Sequence, residues 1–242
     1  MFRPFATGAA IATIGLFASG ASAALTANYI GYGTFQTHAI GYSSSQAWNS
    51  TSSVTMFNLK LAEHRWNVDG QTVYTWCAQL YQGITAGNAY SFDTVALELA
   101  PQTPPAPGPM GLAKATLLRD AMHRFLDADG RANTALGSQA ASTAAFCALA
   151  WEIIHENLAT SDADVARSRI ALGSGAFRAA LTGEAAVVFA EMVSALGSDG
   201  GYRMANAEGW TSPTAQDQFR LVPAPGALAL IGLAGLAGRR RR

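Results

Sequence analysis

Thr72-Val73-Tyr74-Thr75-Trp76-Cys77-Ala78-Gln79-Leu80-Tyr81 is rich in β-branched and aromatic residues, follows the turn pair Asp69-Gly70, and shows no helical period. Such a run favours a strand, because branched and aromatic side chains pack well on a pleated, half-buried surface. Val54 to Leu61 alternates in the same sense, and Tyr90 to Leu99 follows the turn pair Gly87-Asn88. Together these runs predict an antiparallel sheet between Ala24 and about Leu99. Pro101 to Pro109 holds five prolines in nine residues. Proline lacks the N–H that a ladder needs, so this stretch reads as a crossover loop.

Beyond Gly111 the period changes. Leu112, Leu117, Leu118, Met122, Phe125 and Leu126 suit a helix over residues 111–127. Ser142 to Leu158 suits a second, with Phe146, Leu149, Ile153 and Ile154 inward, and Phe177 to Leu196 a third or a broken pair ended by Gly197. Strands followed by helices predict an α+β fold, an antiparallel β-rich N-terminal part followed by a helical part, rather than alternating βαβ units. Ser43 to Ser53 is polar and reads as a surface loop.

Of the 242 residues only 13% are charged, about half the usual share, which argues against a disordered charged tail and against a nucleic-acid binder. The zero net charge hides an asymmetry. Arg3, Arg239, Arg240, Arg241 and Arg242 sit at the ends, leaving 11 basic against 16 acidic residues between them. Residues 1–23 read as a signal peptide: Arg3, an uncharged apolar stretch from Phe5 to Phe17, then the small-x-small pattern Ala21-Ser22-Ala23 required by signal peptidase. Residues 221–242 read as a Pro motif, a short transmembrane helix and an Arg cluster, with the arginines held on the cytoplasmic side. The body, residues 24–220, is then exported into an oxidising compartment.

Val222-Pro223-Ala224-Pro225, the apolar segment and the cluster Arg239 to Arg242 resemble the PEP-CTERM sorting signal of bacterial surface proteins, in which Pro-Glu-Pro is usual. The resemblance implies processing by a membrane exosortase, initial anchoring in the cytoplasmic membrane by the C-terminal helix, and a final place at the cell surface or in the extracellular matrix. The run Tyr74 to Leu80, the run Ala144-Ala145-Phe146-Cys147-Ala148-Leu149-Ala150-Trp151-Glu152-Ile153, Gly108-Pro109-Met110-Gly111 and Ser212 to Gln218 together resemble the thioester-type domains of such proteins. In that family a Cys and a Gln join with loss of ammonia, giving an acyl donor that captures amines. Here Cys77 matches the Cys, but Cys147 stands where the resemblance leads one to expect Gln. The resemblance therefore implies a structural Cys77–Cys147 disulfide, closing a loop of about 70 residues for roughly 4 kcal/mol on the chain-entropy model. Two free buried thiols are an alternative. A third is a thioester using Gln79, Gln82 or Gln139.

No enzyme is read from the remaining motifs. Glu152 and His155 form one Glu-x-x-His pair without the second that a di-iron bundle needs. Asp127, Asp129, Gly130 and Asn133 lack the spacing and late Glu of a calcium loop. His38, His64, His123 and His155 show no ligand spacing, and no phosphate-binding loop or nucleophile elbow occurs, so no metal or cofactor is expected. The sequence thus predicts an exported, non-catalytic surface protein contacting polysaccharide or surfaces, or else a covalent adhesin built on Cys77. Signal peptidase and exosortase are its expected processing partners.

Overall fold

The structure is a computed structural model describing residues 24–104 and 106–222. Seven strands run β1 Ala24–Tyr42, β2 Phe57–Val68, β3 Gln71–Cys77, β4 Ala89–Ala96, β5 Phe177–Ala180, β6 Ala207–Thr211 and β7 Gln218–Leu221. Four helices are α1 Gly111–Phe125, α2 Gln139–His155, α3 Ala163–Ser168 and α4 Glu184–Ala195. The α+β class holds, with an antiparallel sheet throughout. The signal peptide with Ala21 and Ala23, and the tail from Pro223 with its apolar helix and arginines, lie outside the described residues. Among the described residues no helix is long and apolar enough to cross a membrane.

Two local expectations are corrected. The third helical segment is broken: Phe177–Ala180 is a strand, and α4 starts only after Gly183, whose positive φ turns the chain. The helical part is also not the end of the fold. After α4 the chain returns as β6 and β7, which pair with each other and insert between β4 and β3.

That insertion closes a ring. The sheet runs β2-β3-β7-β6-β4-β1, and β1 also pairs with β2, so six antiparallel strands form a barrel with β5 along the outer half of β1. Closure removes the open edges of those six strands. β1 serves three partners because it is long and bulged, with register shifts at Tyr29/Gly31 and Tyr32/Phe35. At Gly33 a Cβ would collide with the Glu63 side chain. Buried Glu63 is held there by Thr34 N–H and by the Arg131 guanidinium at 2.8 Å.

Inside the barrel, Tyr29, Trp66, Phe92 and Trp210 interlock, with Tyr29–Trp66 and Trp66–Phe92 ring centroids 4.8 and 5.3 Å apart. Each buried ring of this size contributes about 1.5–3 kcal/mol. Against the barrel's flank lies α2, buried on every side from Ala141 to His155 and covered by α1, α4 and β5. A helix that is apolar all round is a core helix, and its run of alanines lets neighbouring elements approach closely. Ser138 caps it and donates to Glu184 at 2.6 Å, tying its start to α4.

Candidate functional site at the barrel end

β3 ends at Cys77. The next peptide turns away from the ladder because Ala78 N–H donates to Asp217 O at 2.8 Å. The Cys77 thiol donates to Gln79 O at 2.6 Å, and Cys77 O accepts the Trp151 indole N–H from α2 at 2.9 Å. Gln79 O also accepts from the Gln216 side chain. Burial pushes the Cys77 thiol up to about 12, so it is held protonated.

Asp217 organises the strand ends around this cysteine. Its buried carboxylate accepts Ser212 N–H, Gln102 N–H and the Gln79 amide, each at 2.7 Å. It thereby joins the β6–β7 turn, the proline-rich loop and the residues after β3. Burial raises its pKa to about 6, against the pull of these three donors.

Directly across the ladder from Cys77 stands Gln218, the first residue of β7. Opposed residues on neighbouring strands share a face, with Cβ atoms about 4.5–5.5 Å apart. Gln218 is fully buried, and its amide is oriented by its hydrogen-bond partners. Oε1 accepts from Thr75 Oγ1 and from His64 Nδ1, both at 2.9 Å, while Nε2 donates to Gln216 O at 3.0 Å. Thr75 in turn accepts the Trp66 indole N–H at 2.8 Å, leaving its hydroxyl hydrogen for Gln218. His64 lies beside Tyr29 and Tyr32, both 5.4 Å away between ring centroids. Burial lowers its pKa to about 4, with the Gln218 contact offsetting part of the shift, so the ring is neutral at pH 7.

Cys147 sits on α2 one turn before Trp151, on the same helix face. It is buried, and its thiol is raised well above the usual range, first by burial and then by its proximity to the Cys77 thiol. Both cysteines are free, so the expected Cys77–Cys147 bridge is not formed in this structure. The three expected acyl partners are bonded elsewhere, and none lies across the ladder from Cys77. Gln79 is bonded to Asp217, Gln82 reaches Pro213 O, and Gln139 donates to Ala132 O at the start of α2. The sequence reading did not single out Gln218, although the polar–apolar alternation Gln218-Phe219-Arg220-Leu221 is a strand signal.

The other singled-out groups are brought together differently. Glu152, His155 and Glu156 share the end of α2, with Lys114 of α1 donating to Ile154 O at 2.8 Å. Glu152 accepts Ala171 N–H, and Glu156 accepts the N–H groups of Asn157, Ala176 and Phe177. A Cβ at Gly175, where φ is +88°, would collide with the Glu156 carboxylate. Burial raises Glu152 to about 8, lowers Lys114 to about 8 and lowers His155 to about 3. Asp127 caps its own turn by accepting Asp129 and Arg131 N–H, and Gly130 O receives the Trp76 indole. Among the described residues no group of three or more His, Cys, Asp or Glu is placed to hold a metal ion. A cleft of about 470 Å³ lies elsewhere, between Gln71, Tyr74, Asp129 and Arg220. No protein-family model matches the chain, and neither does any curated protein or solved structure.

Proposed function

We propose that this chain is an exported surface protein whose barrel carries a Cys77–Gln218 thioester for the covalent capture of amines. The observation that carries the reading is the cross-strand pair itself: a buried thiol directly opposite a buried carboxamide. In the reaction the Cys77 sulfur attacks Gln218 Cδ, a C–S bond forms, the C–N bond breaks, and the thiol proton leaves with the nitrogen as ammonia. No oxidant is required. An incoming primary amine then displaces the sulfur, giving an amide at Gln218 and restoring the thiol. Each molecule acts once, so this is an adhesin rather than an enzyme. Cys77 and Gln218 are both buried, which limits the access of water that a strained thioester must avoid.

The proposed addresses suit this role. Every strand of the barrel lies between Ala24 and Leu221, so cleavage after Ala23 and exosortase processing near Pro223-Ala224-Pro225 would sever no ladder. The body would then stand at the cell surface or in the matrix, against amine-bearing or polysaccharide surfaces.

A second reading is favoured by the position of Cys147 on the helix face that contacts Cys77. In it, the two thiols pair as a structural bridge and the domain is inert, the two electrons and protons passing to a disulfide oxidant of the envelope. Intact mass of the mature protein, purified without reductant, separates the two. Loss of one ammonia, with methylamine adding back and Gln218→Ala abolishing the loss, supports the thioester. Loss of two hydrogens, reversed by reductant, supports the bridge and sinks the thioester. The same spectrum reads both termini.

A further inference from the structure

Resting on the thioester reading, we infer that Thr75 and His64 form the electrophilic site that activates the Gln218 carbonyl, with Gln216 O holding the leaving nitrogen. A neutral carboxamide is a poor acyl donor, because nitrogen donates its lone pair into the carbonyl. Attack by sulfur places negative charge on Oε1, and preorganised donors aimed at that atom lower the barrier. Two such donors are present, each at 2.9 Å, and they come from neighbouring strands.

The direction of each bond is fixed by its surroundings. Thr75 Oγ1 receives the Trp66 indole hydrogen, which can only be donated, so the hydroxyl hydrogen is aimed at Gln218. Gln218 Nε2 faces the Gln216 main-chain oxygen, an acceptor only, which places the amide oxygen on the Thr75 and His64 side. With a carbonyl oxygen as its partner, His64 Nδ1 carries the proton, and the ring acts as a neutral donor rather than a base for the thiol. The thiol itself faces Gln79 O.

After ammonia leaves, the same oxygen becomes the thioester carbonyl. Both donors then still polarise it toward the incoming amine. One pair of groups thus serves both formation and capture, and each half-reaction depends on it.

The test uses the full mature domain and follows ammonia loss by intact mass after refolding, then opening of the ammonia-depleted protein by methylamine. Thr75→Val keeps the side-chain shape and removes the hydroxyl; both steps should slow on the order of 100-fold. Thr75→Ser keeps the hydroxyl and should return to within a few-fold of wild type, a rescue that a purely structural role would not give. His64→Gln offers an amide N–H in place of the imidazole and should fall between, whereas His64→Leu should match Thr75→Val. Thermal melts of each variant establish that the comparison is made on folded protein. Folded Thr75→Val and His64→Leu that both react at the wild-type rate would overturn the assignment. A wild-type protein that never loses ammonia would instead overturn the thioester reading, and the assignment with it.

Discussion

The barrel end and the end of α2 are two buried polar regions built on opposite principles. At the end of α2, Glu152 and Glu156 are answered mostly by main-chain N–H groups of the 157–177 segment. These carboxylates staple a loop that has no ladder of its own there. In the barrel, Gln218, Thr75, His64 and Trp66 are answered by one another, and Cys77 stands opposite Gln218 in the ladder. Main-chain satisfaction marks a polar group used to build the fold. The side-chain network converging on one carbonyl oxygen is the one to which we assign the proposed chemistry.

The sharpest way to break this contrast is to remove one reactive group. Cys77→Ser or Gln218→Ala should abolish ammonia loss and methylamine capture completely, read by intact mass. Gln218→Ala should also cost about 1–3 kcal/mol, since it strips the acceptor from His64 and Thr75. At the α2 end the balance reverses. Glu156→Ala leaves three N–H groups, two of them buried, without their acceptor and should cost about 2–3 kcal/mol or more in urea unfolding, while the folded fraction keeps its reactivity. Retained stability in that variant would remove the distinction between the regions.

Two further measurements sharpen it. Glu152 has a folded pKa of about 8, above its value in the unfolded chain. The folded state therefore binds the extra proton, and this contribution is present below about pH 4.5 and lost as pH rises through 8. His64 and His155 act oppositely: their folded pKa values, about 4 and 3, lie below 6.5, so stability is lost as pH falls from 6.5 through those values. Between pH 4.5 and 6.5 the trends oppose each other. From 6.5 to 8 the Glu152 loss stands with less opposition, and Glu152→Gln should flatten it by a few kcal/mol in pH-dependent melts. The smallest effect is that of Cys147→Ala, about 1–2 kcal/mol for a small buried cavity, with ammonia loss unchanged. Loss of reactivity there would make Cys147 part of the site.

Much of the fold was legible where a local period exists. The run ending at Cys77 read as a strand because alternation is a property of neighbouring residues, and Ser142 to Leu158 read as a helix, close to the observed Gln139–His155. Phe177–Ala180 was absorbed into a helix because four residues are too few to carry a period. β6 and β7 were missed for the same reason, at five and four residues. Cys77 was singled out by the resemblance and by having just one other cysteine in the chain. The sequence offered Cys147, Gln79, Gln82 and Gln139 as its partners, whereas the partner proposed here, Gln218, lies opposite it in the ladder. His64 had no spacing to mark it, since its partner Gln218 is 154 residues away.

The sequence alone determined the local states: strand-forming runs before the proline-rich loop and an apolar core helix after it. Tertiary structure decided which strands are neighbours, and hence which side chains meet. Strand pairing is a long-range choice, made when β7 fills the gap between β3 and β6 and its side chains complete the barrel. Period-two patterning says which face a residue occupies, not what lies across the ladder from it. That is why the strand bearing Cys77 could be read from ten residues, while the residue opposite it in the ladder emerged only from the closed barrel.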